Sequence, residues 1–279
     1  MGSSEKKLIT FTLDLEDHRL DENLPERYPV ITDKILGFLD EHKIKATVFT
    51  VGALAEKNPQ LIRRIHEAGH EIAHHSYDHT PLTKQGRNQF QEHTKRAKDI
   101  LEDIAGEKIT GYRAPVFSLT KDTLWAVDIL KELGFEYSSS VLPVANPLHG
   151  LPGAPSTPFK WSNGLIEIPA PIGKVGPFLM PYLGGFYFRY LPFGVIKNQV
   201  KKADDSTIPW TYCHPYDFDA EEKNWRIKGA SVPVSLLLWI NRKNTFSKLE
   251  RLTDSFEFSK PFKDQNFKKV KQIVDPATL

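Results

Sequence analysis

Side chains of the types that bind metal ions lie in two short segments, residues 14–18 and residues 74–79, each directly after an apolar stretch. His75 and His79 are four residues apart, so one helical turn would place both imidazoles on the same side, where they can bind one cation. His74 is five residues from His79 and fits that geometry less well. Two histidines and one carboxylate leave coordination positions open for water, as in catalytic metal sites. The spacing therefore predicts a catalytic metal site, and its chemistry favours hydrolysis.

Two carboxylates of the first segment, Glu16 and Asp17, are candidates for the third metal ligand. Asp14 and Glu16 share a face if the strand continues, which would make Glu16 the ligand; a turn beginning at Leu15 would instead present Asp17. A nearby carboxylate that is not a ligand can take the proton from a water whose pKa the ion lowers. Acids after a strand also cap helices or bind backbone amides, and a lone histidine is usually structural.

The surrounding pattern predicts βα units and a mainly parallel sheet, which place both segments at the carboxyl ends of neighbouring strands. Strands are predicted near Leu8 to Leu13, Ala46 to Val51, Glu71 to His74, Ile109 to Tyr112, Tyr137 to Ser139, Ile166 to Ile168 and Trp210 to Cys213. Helices are predicted near Pro29 to His42, Leu54 to Ala68, Gln85 to Ile104 and Leu119 to Leu133. Gly69, Gly106 and Gly134 follow three of them and are expected to end helices in the left-handed conformation.

The second half departs from the βα pattern. Residues 143–181 are dense in Pro and Gly and indicate a long ordered excursion of the kind that builds substrate walls. Residues 231–252 are predicted to be helical, and the Lys-rich residues 260–271 to form a solvated surface. No linker marks a boundary, so we predict one domain over residues 1–279, with a core of about 8–220 and a C-terminal helical extension of about 221–279.

Composition limits the function. The 279 residues, 40% hydrophobic and 26% charged, are typical of a globular chain, and the net charge of +2 gives no reason to expect nucleic acid as a partner. No apolar run approaches the roughly 20 residues of a membrane span, and no secretory signal is recognised, so a cytoplasmic location is expected. Cys213 is the only cysteine, which excludes an internal disulfide and a thiolate-rich zinc site. The oligomeric state stays open.

Four motifs in order resemble those of the NodB-type polysaccharide deacetylases, carbohydrate esterase family four. They are Asp14-Leu15-Glu16-Asp17, His75-Ser76-x-x-His79, Arg113-Ala114-Pro115 and His214-Pro215. The segments Gly184 to Arg189 and His214 to Asp219 resemble a bacterial branch, associated with exopolysaccharide and surface-glycan synthesis, that has a distinctive C-terminal region.

The resemblance implies a deformed (β/α) barrel that removes N-acetyl groups from amino sugars of a polysaccharide or its precursor, using a divalent ion for which zinc is the first choice and cobalt or nickel are alternatives. It implies that Asp17, His75 and His79 bind the ion and that Asp14 is the base. Further implied roles are Arg113 keeping the base ionised, the backbone N–H of Val116 donating to the oxyanion, and His214 protonating the leaving amine. Arg113 could otherwise be a plain salt-bridge partner and His214 a buried polar residue.

Two departures from the family pattern affect these roles. The family's first motif has adjacent aspartates, whereas this chain offers Asp14, Glu16 and Asp17; we predict Asp17 as the ligand. The related branch has Asp-Ser-Ser where this chain has Ser138 to Ser140, so an auxiliary carboxylate is expected to be missing. Alternative functions are hydrolysis of a small non-sugar amide or cyclic imide, and sugar binding by a pseudoenzyme. For the aromatic residues Phe186, Tyr187, Phe188 and Tyr190, core or loop-anchoring roles are predicted over sugar stacking, and His70 is predicted to be structural.

Overall fold

The computed structural model describes residues 7–19, 23–146, 149–204, 206–222, 236 and 238–279. The strands are β1 (Leu8–Ile9), β2 (Thr12–Leu15), β3 (Thr47–Thr50), β4 (Glu71–His74), β5 (Gly111–Tyr112), β6 (Tyr137–Ser138), β7 (Phe159–Trp161), β8 (Ile166–Glu167), β9 (Ile172–Val175), β10 (Phe178–Pro181), β11 (Glu257–Phe258) and β12 (Ile273–Val274). The helices are α1 (Tyr28–Glu41), α2 (Gly52–Lys57), α3 (Pro59–Glu67), α4 (Arg87–Ala105), α5 (Ala126–Glu132), α6 (Gly185–Tyr190), α7 (Phe193–Lys202) and α8 (Thr245–Ser255).

Eight strands form one sheet in the order β12-β7-β8-β6-β5-β4-β3-β2, in which every pair is parallel except β7 with β8. Beyond β2, the sheet continues only as isolated parallel bridges, Thr10 with Trp210 and Leu13 with Cys213, where a regular strand was predicted. The indole N–H of Trp210 donates to the carbonyl of Pro169, just after β8, at 3.1 Å. The Trp210 segment beyond β2 thus approaches β8 across the interior, and the predicted mainly parallel, deformed α/β barrel is confirmed.

Two apolar clusters hold the barrel together, one on each face of the sheet. β3 and β4 are buried along their whole length, because one face meets the helices and the other the barrel interior. Inside the barrel, Phe49, Tyr137, Trp210 and Phe262 pack in edge-to-face or tilted ring contacts with centroids 5.7–6.5 Å apart. These rings fill the barrel below its carboxyl-end mouth, and the side chains at that mouth rest on them.

Three helices end at the glycines that were predicted to end them. Gly69, Gly106 and Gly134 have φ of +80°, +68° and +82° and follow α3, α4 and α5, so the three predicted stops are confirmed. The helix predicted over Leu54 to Ala68 is two helices, because Pro59 has no N–H to continue α2 and Asn58 instead caps α3 by accepting from the N–H of Leu61. The imidazole of His70 accepts from the N–H of Ala46 at 3.0 Å, in agreement with its predicted structural role.

The C-terminal region agrees with the prediction in part. Among its described residues, 236, 238, 239 and α8 are helical, and most of residues 263–271 are exposed; the predicted segment 231–235 and residue 237 lie outside the described residues. β11 pairs with β1 and β12 with β7, so this region completes the barrel and is no helical extension. Within the Lys-rich tail, Phe262 is 1% exposed and closes the barrel bottom, and the N–H of Lys263 donates to the Glu71 carboxylate. No helix among the described residues has the length and apolar composition needed to cross a bilayer.

Candidate active site

A cavity of about 450 Å³ opens at the carboxyl ends of the strands and contains most of the predicted site residues. Asp14, Glu16, His75, His79 and His214 all contribute to its wall. Leu142, Asn146 and Pro181 contribute as well, so the Pro- and Gly-rich excursion does build one side of the cavity. Ionisable groups and apolar surface therefore share one concave site of the size that ligands occupy.

Glu16, His75 and His79 offer one ligand atom each, and these three atoms lie within 4.8 Å of one another. A carboxylate oxygen of Glu16 lies 2.5 Å from Nε2 of His79. Nδ1 of His75 lies 2.9 Å from the carbonyl oxygen of Arg113; donation there places the proton on Nδ1 and directs the lone pair of Nε2 to the cavity. Burial lowers the pKa of His75 to about 4, which keeps the imidazole neutral. A neutral, oriented nitrogen, a second imidazole and a carboxylate fit a zinc-type ion with an open position.

The structure contradicts the assignment of Asp17 as the carboxylate ligand. The Nε–H of Arg19 donates to Asp17 at 2.7 Å, and the Asp17 side chain belongs to that ion pair outside the cluster. The physical reason is that β2 runs to Leu15 without a turn, so strand alternation puts Asp14 and Glu16 on the cavity side. Glu16, the alternative that alternation gave, is the carboxylate beside the histidines.

His74 is excluded from the cluster, in agreement with the sequence reasoning. It is fully buried on the helix side of β4, with its ring nitrogens engaged by the backbone of Thr94 and Ser76. Ser76 has φ of +65° and His79 has φ of +60°, left-handed conformations that cost free energy for residues other than glycine. The hydroxyl of Ser76 accepts from the N–H of His79 at 2.8 Å and holds this turn closed. The Ser76 hydroxyl thus fixes the conformation that brings His79 to Glu16.

Arg113 binds Asp14 inside the barrel, where both side chains are almost completely buried. Its Nη1 donates to Oδ1 of Asp14 at 2.5 Å and to the hydroxyl of Thr12 at 2.9 Å. The guanidinium lies 3.8 Å from the ring centroid of Phe49 and 4.3 Å from that of Trp210, one on each side. Asp14 is the buried counter-charge of Arg113, so removal of its carboxylate charge would leave the guanidinium unpaired.

The three serines after Tyr137 stand where the related branch has Asp-Ser-Ser, and two of them accept hydrogen bonds from Arg113 and Ala114. Nη2 of Arg113 donates to the hydroxyl of Ser139 at 3.1 Å, and the N–H of Ala114 donates to that of Ser140 at 2.9 Å. The N–H of Ser140 donates in turn to the buried carboxylate of Glu167 at 2.6 Å. Hydroxyls thus position the Arg113 segment without a carboxylate in the first position.

His214 faces the cluster from the bridge that extends the sheet beyond β2. Its Nε2 lies 3.5 Å from Glu16 and 4.0 Å from Asp14, while its Nδ1 lies 2.8 Å from Oδ2 of Asp217. Burial acts to lower the pKa of His214, but Glu16 and Asp217 outweigh burial and raise the pKa to about 9. The imidazole also stacks on Tyr216, with centroids 4.8 Å apart. His214 is therefore an oriented proton donor at neutral pH.

Sequence reasoning missed Asp217 and Arg189, the two residues behind His214. Nε of Arg189 lies 2.8 Å from Oδ1 of Asp217, and both side chains are at most 1% exposed. The guanidinium of Arg189 also donates to the carbonyls of Leu238 and Ile240. A signal was present in the His214-Pro-Tyr-Asp217 spacing, which lets the carboxylate cap its own turn by accepting from the N–H of His214 at 2.9 Å.

Two consecutive glycines let Asp217 sit where it does. A side chain at Gly185 would collide with the carboxylate of Asp217, and one at Gly184 would collide with the ring of Tyr212. The backbone of α6 therefore approaches both residues more closely than any other amino acid would allow. This contact explains the glycine pair in the segment Gly184 to Arg189.

Val116 lies in the cavity wall and has a strained backbone conformation. Its φ is +48°, a strained left-handed conformation for a β-branched residue. The next residue, Phe117, also has a positive φ, of +53°. Val116 is the second residue of the single 3₁₀ turn Pro115–Phe117, and the first N–H groups of a helical turn have no acceptor within it. The N–H of Val116 is therefore placed for an external acceptor.

The aromatic residues divide between the cavity and the core. Phe186 and Tyr187 line the cavity, whereas Phe188 is fully buried in the outer core. Tyr190 packs on Phe186 with centroids 4.4 Å apart. The predicted core or anchoring role therefore fits Phe188 and Tyr190, and Phe186 and Tyr187 belong to the cavity wall.

Comparisons with known proteins match both halves of the chain to family models. Residues 2–138 match the family model for polysaccharide deacetylase, and residues 139–264 match a domain of unknown function, DUF3473. A peptidoglycan-N-acetylglucosamine deacetylase of Bacillus cereus is 35% identical over 98 residues, 35% of this chain and 36% of the relative. A chitooligosaccharide deacetylase of Sinorhizobium fredii is 35% identical over 103 residues, 37% of this chain and 45% of the relative, so the matches span less than half of either relative.

A solved structure of the peptidoglycan deacetylase PdaC from Bacillus subtilis superposes with a TM-score of 0.51. The superposition covers 92% of this chain and 89% of that one, at 16% sequence identity. At that identity the likeness concerns the fold, and it covers a larger share of this chain than the sequence matches to the two deacetylases do.

Proposed function

We propose that this chain, whose residues 2–138 match the polysaccharide deacetylase family model, is a metal-dependent hydrolase that removes N-acetyl groups from amino sugars of a polysaccharide or its precursor. The observation that supports this most is the convergence of three groups in one cavity: the Glu16, His75 and His79 cluster, Asp14 held by Arg113, and His214 within 4.0 Å of both acids. Together they supply the metal ligands, the base and the acid that hydrolysis of an amide requires.

The proposed ligands of the ion are Glu16, His75 and His79, with zinc as the first choice from the donor types and cobalt or nickel as alternatives. When bound, a divalent ion supplies Lewis acidity, which polarises an acyl oxygen and makes water a stronger acid. The protein's part is to orient the two imidazoles, through the His75 contact with the Arg113 carbonyl and the Ser76 contact with His79.

Asp14 is the proposed base. Arg113 occupies its Oδ1 and leaves Oδ2 facing the cavity near His214, so Oδ2 can take a proton from an attacking water. Arg113 is itself clamped between Phe49 and Trp210, so the acceptor atom has little freedom to move. The ion pair thus holds the Asp14 carboxylate in one orientation.

His214 and Val116 complete the proposed reaction. An amide nitrogen leaves only after it gains a proton, which Nε2 of His214 can donate while Asp217 accepts from Nδ1 and stabilises the cation. Val116 lines the same cavity, and its backbone N–H is the proposed donor to the oxyanion that forms as water adds. Apolar side chains of Leu142, Tyr212 and Phe186 offer surface for the acetyl methyl group and a sugar face.

Acetate release tests the proposal. We expect the purified protein, loaded with zinc, cobalt or nickel, to release acetate from N-acetylglucosamine oligomers and from acetylated precursors. Chelation should remove the activity, and re-addition of one of these ions should restore it, because the cluster is empty without the ion. Turnover confined to small non-sugar amides or cyclic imides would instead indicate the amidase alternative. Glycan binding without stoichiometric metal and without acetate release after zinc addition would indicate a pseudoenzyme.

Asp217→Asn is expected to lower kcat/KM for acetate release from an amide by roughly ten- to a hundred-fold, because His214 loses the anion that orients and stabilises its protonated form. An activated aryl acetate, whose leaving group needs no proton, should lose much less. Steady-state kinetics on both substrates measure the difference. Equal losses on both substrates would mean that Asp217 only maintains the structure of the site. The matched control is Asp219→Asn, which removes a buried carboxylate bound to Arg27.

A further inference from the structure

A β-hairpin beside the cavity exposes a continuous apolar tip. β9 and β10 pair antiparallel with Val175 opposite Phe178, so Gly176 and Pro177 form the turn. Phe178 is 65% exposed and Leu179 is 54% exposed. Residues 175–180, here named the apolar tip, contain no polar side chain.

The apolar tip belongs to the same rim as the cavity mouth. β10 ends at Pro181, which lines the cavity, and two other exposed apolar side chains, Val116 and Phe186, line it too. Four of the nine large apolar side chains exposed among the described residues therefore lie on this rim or on the strand that leads into it. Exposed apolar surface concentrated in this way marks an interaction site.

The charge around the tip identifies the partner. Residues 168–203, which comprise the hairpin, α6 and α7, contain no Asp or Glu. They contain five basic residues, of which Lys174, Lys201 and Lys202 are exposed. Arg251 of α8 adds a fourth exposed cation, with its guanidinium 4.1 Å from the ring centroid of Phe193 at the start of α7. Apolar side chains that project from a basic surface complement an anionic lipid bilayer.

The hairpin and α7 form one connected surface. The side-chain amide of Gln199 in α7 donates to the backbone carbonyl of Lys174 in β9 at 2.7 Å. Gly173 lies against the side chains of Gln199 and Tyr182, and a larger residue there would displace the Gln199 amide. Insertion of the tip would therefore bring the lysines of β9 and α7 to the lipid together.

We propose that the apolar tip inserts into the interface of an anionic lipid bilayer while Lys174, Lys201 and Lys202 contact its headgroups, which docks the cavity mouth at the membrane surface. Docking does not depend on deacetylation. If the proposed function also holds, the preferred substrate class becomes an acetylated amino sugar carried on a lipid, since the membrane surface would present such a substrate at the docked cavity mouth.

Co-sedimentation of the full chain with vesicles tests the docking. We expect it to partition onto vesicles of phosphatidylglycerol with phosphatidylethanolamine at least about ten-fold more strongly than onto phosphatidylcholine vesicles, and salt should weaken the binding. Phe178→Ser together with Leu179→Ser should lower the partition coefficient by at least about ten-fold, since each side chain loses the free energy of apolar burial. Ile273→Ser is the matched control, because Ile273 is 69% exposed on β12 at the other end of the sheet.

The expected pattern is loss of vesicle binding in the tip variant, retention in the Ile273 variant, and unchanged thermal unfolding in both. Binding that survives the tip substitutions would overturn the proposal. A tip variant that instead changes the sedimentation coefficient of the protein without lipid would assign the surface to a contact between two copies of the chain. Acetate release from a water-soluble oligomer, measured in parallel, reports on the proposed function separately, so failure of one test does not imply failure of the other.

Discussion

Glu16→Gln is expected to abolish stoichiometric binding of a divalent ion and acetate release with it, whereas Asp17→Asn is expected to retain both. The neutral amide cannot replace the carboxylate that joins His75 and His79, and loss of one of three protein ligands should weaken metal affinity by at least about a hundred-fold. Asp17 is engaged by Arg19 outside the cluster, so the amide there costs only an exchange within a partly exposed ion pair.

Metal content after dialysis, together with acetate release, measures this pair of variants. Thermal unfolding with and without added zinc should show stabilisation by the ion in Asp17→Asn and none in Glu16→Gln, because a ligand that binds only the folded state raises its stability. The reverse outcome, with Asp17→Asn losing the ion, would return the ligand to Asp17 and require the chain after Leu15 to turn when metal binds.

Asp14→Asn is expected to lower kcat/KM for acetate release by about 10²–10⁴-fold with the ion still bound, because an amide cannot accept the proton that Oδ2 of Asp14 takes. The amide oxygen can still accept from Arg113, so the side chain should keep its position. Some loss of stability is expected, since Arg113 would lack its buried counter-charge.

Steady-state kinetics and metal analysis on the same preparation separate these effects. Asp17→Asn again serves as the control, as it removes one negative charge from the same segment without touching the cavity. Activity near that of the unaltered chain in Asp14→Asn would rule out the proposed base. Loss of activity together with loss of the ion would mean instead that Asp14 helps to bind the metal.

Local sequence determined much of the site. The four-residue spacing of His75 and His79, their place after a strand, and the order of the four motifs were enough to predict the two imidazoles, Asp14, Arg113 and His214, and all five meet in the structure. This worked because parallel strands end at one edge of a sheet, so segments that are distant in sequence but follow strands must come together. The helix stops at Gly69, Gly106 and Gly134 follow from glycine's own backbone freedom.

Other features were decided only by the tertiary structure. They depend on the residue at which a strand or helix ends, or on side chains from distant parts of the sequence that pack against it. Glu16 and not Asp17 lies beside His75 and His79, because β2 stays extended through Leu15, where it pairs with β3, and alternation then fixes which carboxylate faces the cavity. The pairing of Asp217 with Arg189 depends on α6, which contains Arg189 and packs against the turn that contains Asp217. Phe262 of the Lys-rich tail is buried at the barrel bottom because its ring packs among Phe49, Tyr137 and Trp210, while its charged neighbours stay in water. Such choices are made by long-range contacts, which residue type and local spacing do not encode.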